Sequence, residues 1–271
     1  MPEPRSALLA CALTPAGKVV GFLGDDYPLP ERGPRNTAHD LLIIGSREVP
    51  LSFNCIYPMV TALDEDSIVI VDARQRPGLN NAWLVRDGVV VASFSVGDAV
   101  AQVLSNRGHI ATTYFDEGIS STRSRLSNEG VNAFSLSGEH VGGYVSKLAQ
   151  FAVDIDDCYA ACFDRQGRLL FCPYPEFPVV RIHLPSWRQE VWALPDVLHA
   201  CQNIAATDTH AYFWNPGYER KDMIYAFDLE SKEVTEVGKF PYLRSSQKSV
   251  AVDGRFINVE QRVVTIIDPS G

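Results

Sequence analysis

Short apolar runs recur along this chain, separated by polar turns that usually contain glycine. An apolar run, a turn and a second apolar run form one unit, as in LACALTPAGKVVGF near the start and YAACFDRQGRLLFC near the middle. No segment sustains the 3.6-residue apolar period of an amphipathic helix, and β-branched and aromatic residues dominate the apolar runs. The pattern therefore predicts β-hairpins and an all-β fold.

The hairpins form an internal repeat. Their turns recur roughly every 40 to 60 residues, a spacing typical of propeller blades. The turn residues that mark the repeat are Gly17, Asp66, Gly108, Gly167, Thr209 and Gly254. A variable loop and a second hairpin, such as MIYAFDLESKEVTEV, follow the first hairpin and supply two more strands. We therefore predict a β-propeller of about six four-stranded blades, because a sandwich of short strands would not explain this period.

The whole chain, 1–271, is predicted to form one propeller domain. The blade boundaries are predicted at 5–52, 53–98, 99–148, 149–196, 197–242 and 243–271. The last repeat stops without a fourth strand. Either the last blade has three strands or the first blade begins at another position, and five or seven blades also remain compatible with the pattern.

The predicted propeller has two unequal ends. Tight turns join the first strand of a blade to the second and the third to the fourth, whereas longer segments join the second to the third. Long loops that converge on one face of a rigid scaffold are common places for binding groups. These loops contain aromatic residues and charges of both signs, and tyrosine, tryptophan and arginine often anchor protein interfaces. The candidate binding residues are Tyr27, Arg74, Arg76, Tyr114, Asp116, Glu117, Tyr174, Glu176, Trp214, Tyr218 and Arg220.

No local motif indicates catalysis. The chain has no nucleophile elbow, zinc-binding helix motif or glycine-rich phosphate loop. Asp116 and Glu117 are the best pair of carboxylates, but adjacent residues on a strand point to opposite faces. We assign no catalytic residue, no metal ligand and no cofactor. The alternative to a binding protein is a hydrolase or lyase with a site at the channel mouth, metal-assisted by Asp116, Glu117 or Asp157.

The formal charge of −9 disfavours two classes of partner. Nucleic acids and anionic membranes attract basic surfaces, so we expect neither as a partner.

No run approaches the about 18 apolar residues of a membrane span, and the apolar stretch near the N-terminus is shorter than that of a signal peptide. We therefore expect a cytoplasmic protein. Its six scattered cysteines are then expected to be buried free thiols.

Two segments resemble a group of uncharacterised bacterial propeller proteins. They read YFDEG and IDDCYAACFDRQGRLLFCPYPEFPVVRI, and the similarity spans most of the chain. The resemblance implies the propeller fold and transfers no functional residue. WD40 proteins share only the architecture, since the Trp-Asp dipeptide of their blades is absent.

The long loops favour a non-catalytic protein that binds a protein partner. An immunity or antitoxin-like protein is one version of this hypothesis, because an acidic surface suits a basic toxin. A small-molecule ligand on the same face is also compatible with the sequence.

Overall fold

The computed structural model describes residues 6–25, 37, 40–121, 124–217, 222–240, 250–252, 254–260 and 263–271. These residues form mainly β-strands. The two α-helices within them are α1 (Asp116–Ile119) and α2 (Tyr144–Leu148). No helix in the described ranges is both long and apolar enough to cross a bilayer.

The strands form six sheets in chain order. The first sheet contains β1 (Ser6–Leu13), β2 (Val19–Asp25), β3 (Leu41–Ile44) and β4 (Arg47–Pro50). The second contains β5 (Pro58–Ala62), β6 (Ser67–Asp72), β7 (Ala82–Arg86) and β8 (Val89–Phe94). The third contains β9 (Val100–Ser105), β10 (His109–Tyr114), β11 (Val131–Ser135) and β12 (His140–Gly143).

The remaining sheets continue this order. The fourth contains β13 (Asp157–Phe163), β14 (Leu169–Tyr174), β15 (Val179–His183) and β16 (Arg188–Trp192). The fifth contains β17 (Asn203–Ala206), β18 (His210–Trp214), β19 (Met223–Asp228) and β20 (Val234–Lys239). The sixth contains β21 (Val250–Val252), β22 (Arg255–Glu260) and β23 (Val263–Ile267).

The six sheets close into a ring. Within each sheet, consecutive strands pair antiparallel. The first strand of each sheet contacts the first strand of the next, and the contact between β1 and β21 completes the circle. The protein is therefore a β-propeller with six blades, as the repeat predicts. The first strands form the inner ring, and the outer strands are the most exposed.

The hydrophobic core lies between blades, because each sheet buries both faces only against its neighbours. Between the fifth and sixth blades, for example, the rings of Trp214 and Phe256 lie 5.2 Å apart between centroids. All six cysteines are buried and none forms a disulfide bond, as expected from their apolar surroundings.

The sixth blade has three strands in the described part of the chain. The first sheet has four strands and begins at Ser6. Contact between inner strands, without a strand exchanged between the termini, closes the described ring.

Hydrogen bonds between neighbouring blades join the tight turns at one end of the propeller. The Glu65 carboxylate accepts a hydrogen bond of 2.7 Å from the backbone N–H of Ala16. The Asn106 side chain donates to the Gly167 carbonyl over 2.8 Å. The opposite end carries the connections from second to third strands and those between blades. We call this end the loop face.

Buried polar side chains hold the loop-face segments of the second blade. The Asn81 side-chain N–H groups donate to the carbonyls of Asp72 and Gly97 over 2.9 and 2.8 Å. Its side-chain oxygen accepts the backbone N–H of Val96 over 3.1 Å. Removing this side chain leaves three buried backbone groups without their partner, which is more damaging than losing an exposed hydrogen bond.

The substitution Asn81→Ala should lower the free energy of unfolding by about 2 to 4 kcal/mol in a urea titration. The neighbouring Asn80 is exposed and bonds the Ser93 hydroxyl over 3.0 Å. Asn80→Ala is the matched control and should change stability by less than about 0.5 kcal/mol. Equal losses in the two variants would contradict the assigned role of Asn81.

Candidate functional site

The loop face carries exposed apolar side chains from several blades. These are Tyr57, Leu79, Phe115, Val145, Phe151 and Tyr174. Aromatic residues that remain exposed are common anchors of protein interfaces. The loop face therefore offers contact area as well as charge.

Six of the predicted binding residues lie exposed on this face. They are Arg74, Arg76, Asp116, Glu117, Tyr174 and Glu176. Tyr27, Tyr218 and Arg220 lie outside the described residues. The structure thus places the first six where a partner can reach them, and their binding role stays a prediction.

Tyr114 and Trp214 are core residues, so their predicted role as surface contacts is wrong. Both are 0% exposed. The Tyr114 hydroxyl accepts a hydrogen bond of 2.9 Å from the Asn132 side chain, and burial raises its pKa. The Trp214 indole N–H donates to the Phe240 carbonyl over 3.2 Å. Each aromatic ends a second strand, where the adjoining blade covers its ring.

An ion pair joins the loops of the second and third blades. The Arg74 guanidinium bonds the Glu117 carboxylate, and its Nε lies 3.3 Å from Oδ1 of Asp98. The bond to Glu117 raises the pKa of Arg74. Arg74 and Glu117 therefore neutralise each other. The neighbouring carboxylate of Asp116 does not pair with Arg74.

Asp157 is the most perturbed carboxylate at the loop face. It begins β13, an inner strand, and helix α1 with Asp116 contacts this strand from the third blade. Burial first, and then the negative charge of Asp116, raise the pKa of Asp157 from 3.8 to about 6. Its Oδ1 is buried and has no hydrogen-bond partner among the described residues. A partly buried carboxylate with a raised pKa is a candidate for function.

Two neighbouring inner strands also carry a buried polar atom that has no partner within the described ranges. These atoms are Oε1 of Gln102 on β9 and Nδ2 of Asn203 on β17. Both strands contact β13. Asn203 and Asp157 hold equivalent positions, since each pairs with the last residue of the next strand. Unpaired buried polar groups are destabilising and indicate a place for water or a ligand.

A β-bulge places Tyr159 in an aromatic cluster near Asp157. The bulge lies between Cys158 and Ala160, so Tyr159 is the extra residue of β13. Bulges redirect side chains and are frequent beside functional sites. The Tyr159 ring lies 5.1 Å from that of Phe177 and 6.3 Å from that of Tyr174, between centroids. Sequence reasoning missed Tyr159, because its apolar surroundings resemble an ordinary strand.

The arrangement is anionic and partly buried, and Tyr159, two residues after Asp157, belongs to an aromatic cluster. Two carboxylates, Asp116 and Asp157, repel each other there, and a positive group would relieve the repulsion. Tyrosine rings also attract cations through their electron-rich faces. Within the described chain no group of three or more histidine, cysteine, aspartate or glutamate side chains is placed to hold a metal ion.

The substitution Asp157→Asn should stabilise the protein at neutral pH. The folded protein binds this proton more tightly than the unfolded chain, so the contribution of Asp157 to stability falls as pH rises from about 4 to about 6. The gain from Asp157→Asn should therefore grow over this window by about 1 to 2 kcal/mol, allowing for solvent screening. Urea titrations across this pH range measure it.

The control for this prediction is Asp156→Asn, which changes the exposed neighbour. A gain that grows with pH equally in both variants would contradict the assignment to Asp157. A constant difference between Asp157→Asn and the wild type would show that Asp157 has an ordinary pKa.

The substitution Trp214→Ala should lower the free energy of unfolding by about 3 to 5 kcal/mol, because it opens a cavity between blades. Tyr174 is 40% exposed, so Tyr174→Ala should lower it by about 1 kcal/mol or less. Thermal and urea unfolding of both variants checks the contrast. A small loss of unfolding free energy for Trp214→Ala would contradict the assignment of Trp214 to the core and favour its role as a surface contact.

Comparison with known proteins supports the fold. No protein-family model and no curated protein matches the sequence. Virginiamycin B lyase from Staphylococcus aureus is similar in structure, with a TM-score of 0.60 and 12% identity over 98% of this chain and 82% of that chain. A chain of the nidogen/laminin complex has a TM-score of 0.58 and 12% identity over 97% of this chain and 86% of that chain.

A third similar structure is the extracellular domain of a putative one component system from B. thetaiotaomicron. Its TM-score is 0.53 and its identity 7%, over 97% of this chain and 32% of that chain. At such identities the similarity shows the fold alone. These solved structures and the closed ring of sheets agree that the chain is a β-propeller.

Proposed function

We propose that this protein is a binding protein that holds a basic protein partner on its loop face. A lysine or arginine side chain of the partner enters beside Asp116 and Asp157. The observation that carries the proposal is the Asp157 carboxylate, whose pKa is raised to about 6 and whose Oδ1 lacks a partner among the described residues. A cation bound there favours the ionised form and supplies the missing hydrogen bond.

The surroundings of Asp157 suit a guanidinium or ammonium group. Tyr159 and Tyr174 provide aromatic faces, and cation–π contacts contribute about 0.5 to 2 kcal/mol. Arg74 is engaged by Glu117 and Asp98, so it does not supply the cation to Asp157 in the described structure. In the proposal the partner supplies the positive group.

The rest of the loop face supports a protein as the carrier of this cation. Exposed Tyr57, Phe115 and Phe151 supply apolar anchors around the site. The formal charge of −9 would speed the approach of a basic partner. The nidogen/laminin complex, which contains a chain of similar fold, is an assembly of proteins. An immunity protein that neutralises a basic toxin would have these properties.

Fluorescence anisotropy with a labelled oligoarginine peptide tests the proposal. The citrulline version of the peptide is the neutral control, because it keeps the length and most hydrogen-bonding groups. The arginine peptide should bind about 3- to 10-fold more tightly at pH 7 than at pH 5, since Asp157 ionises between these values. The citrulline peptide should bind weakly at both.

Two variants separate the site from general electrostatic attraction. Asp157→Asn should weaken arginine-peptide binding and remove most of its pH dependence. Asp66→Asn removes the same charge from an exposed turn at the opposite end and should leave binding unchanged. Equal effects of the two substitutions, or equal binding of the two peptides, would contradict the proposal.

A second function, a hydrolase or lyase, is favoured by one observation. A carboxylate with a pKa of about 6 is suited to transfer protons near neutral pH. Elemental analysis of the purified protein separates the two functions. A stoichiometric divalent ion that is lost in Asp157→Asn and Asp116→Asn would favour the metal-assisted enzyme. Binding of the arginine peptide by metal-free protein would favour the binding protein.

A further inference from the structure

Several of the buried cysteines lie together where the fourth blade meets the fifth. Cys158 and Cys162 belong to β13, Cys172 belongs to β14, and Cys201 lies just before β17. All four are buried. Two thiols that are held side by side can be oxidised to a disulfide bond, so the mutual positions of these side chains decide what they can do.

Cys172 faces the fifth blade. Alternate residues of a strand point to opposite faces of the sheet. Leu169 and Phe171 pack in a cluster with residues of the third blade, whereas Leu170 and Cys172 pack in a cluster with residues of the fifth. The Cys172 side chain is therefore directed away from the third blade and toward the segment that leads into β17.

Cys201 belongs to the connection between the fourth and fifth blades. The backbone of this connection is hydrogen-bonded to the fifth blade, because the His199 carbonyl accepts the N–H of Gly217 over 2.7 Å. The Cys201 side chain is 1% exposed and packs in the same cluster as Cys172. A bond between these two cysteines would therefore join the fourth blade to a segment that the fifth blade holds.

The thiols of Cys172 and Cys201 interact directly, through a hydrogen bond between their side chains. The other two cysteines are less well placed to pair with Cys201. The Cys158 thiol packs on the side of the third blade and is directed to the Ala160 carbonyl, 3.9 Å away. Cys162 lies two residues further along β13 than the residue opposite Cys172.

We propose that Cys172 and Cys201 form a disulfide bond under oxidising conditions, and that this bond ties the fourth blade to the connection into the fifth. Each thiol loses one proton and one electron as the S–S bond forms. Oxidised glutathione is a suitable oxidant. Its own S–S bond breaks, and the two molecules of reduced glutathione take up both protons and both electrons.

Burial decides when this bond forms. It raises the pKa of the Cys172 thiol well above its usual value, and the thiolate is the species that reacts. In the folded protein the pair therefore reacts slowly at neutral pH. While the chain folds, before the blades close over the thiols, an oxidant reaches them. We expect the pair to be oxidised when the chain folds in an oxidising compartment and reduced when it folds in a reducing one.

Peptide mapping of wild-type protein refolded with oxidised glutathione tests the proposal. Trypsin places Cys172 in peptide 169–181 and Cys201 in peptide 189–220. After the remaining thiols are alkylated, most molecules should contain these two peptides joined by a disulfide bond. Cys158 and Cys162 share peptide 148–165, so a bond to either of them gives a different joined pair.

Thermal unfolding measures what the bond contributes. It closes the loop from Cys172 to Cys201 and so restricts the unfolded chain. The oxidised wild type should melt about 5 to 10 °C above the same protein refolded with reduced glutathione. Cys201→Ala should abolish this difference. Cys162→Ala is the matched control, since it removes a buried thiol from the same cluster and should keep the full difference.

The peptide map uses the wild type, so its result does not depend on the folding of a variant. Wild-type protein in which both thiols stay reduced would overturn the proposal, as would a bond from Cys201 to Cys158 or Cys162. Equal melting temperatures of the oxidised and reduced wild type would also overturn it. So would a difference that persists in Cys201→Ala or is lost in Cys162→Ala.

Discussion

Each blade of this protein buries both of its faces only because the adjoining blades pack against them. This mutual burial brings the first strands together in a ring and aligns their ends at the loop face. It also explains why Trp214 is enclosed, since Phe256 of the next blade packs against its ring. The same convergence places the beginnings of β9, β13 and β17 side by side. The packing of the blades therefore removes the polar residues at these strand ends from water.

The loop-face site arises from this crowding. Asp157 is desolvated by its place on an inner strand, and Asp116 adds a like charge from the third blade. The pair of Arg74 and Glu117 fixes the adjoining loops while neutralising its own charges. The remaining negative charge, the unpaired oxygen of Asp157 and the ring of Tyr159 then favour a cation. The site is destabilising in the free protein, and a bound positive group would relieve it.

The sequence predicted the repeat better than the site. Glycines at hairpin turns mark the blades, and Gly17 and Gly167 have the positive φ of 83° and 77° that such turns require. Trp214 and Tyr174 end equivalent strands, yet one is buried and the other exposed, because different neighbours cover them. The bulge that redirects Tyr159 is a register shift between strands, which no local pattern specifies. Packing between blades, absent from any single repeat, decides these features.

We propose that the Asp157 carboxylate is destabilised in the free protein and binds a positive group of the partner. Carbon-13 NMR of the aspartate carboxyl groups, assigned with Asp157→Asn, measures its pKa in the free protein and in the presence of oligoarginine. We expect a pKa of about 6 for Asp157 in the free protein and a lower pKa when the peptide binds. A value near the usual 3.8 in the free protein, or no change on adding the peptide, would contradict it.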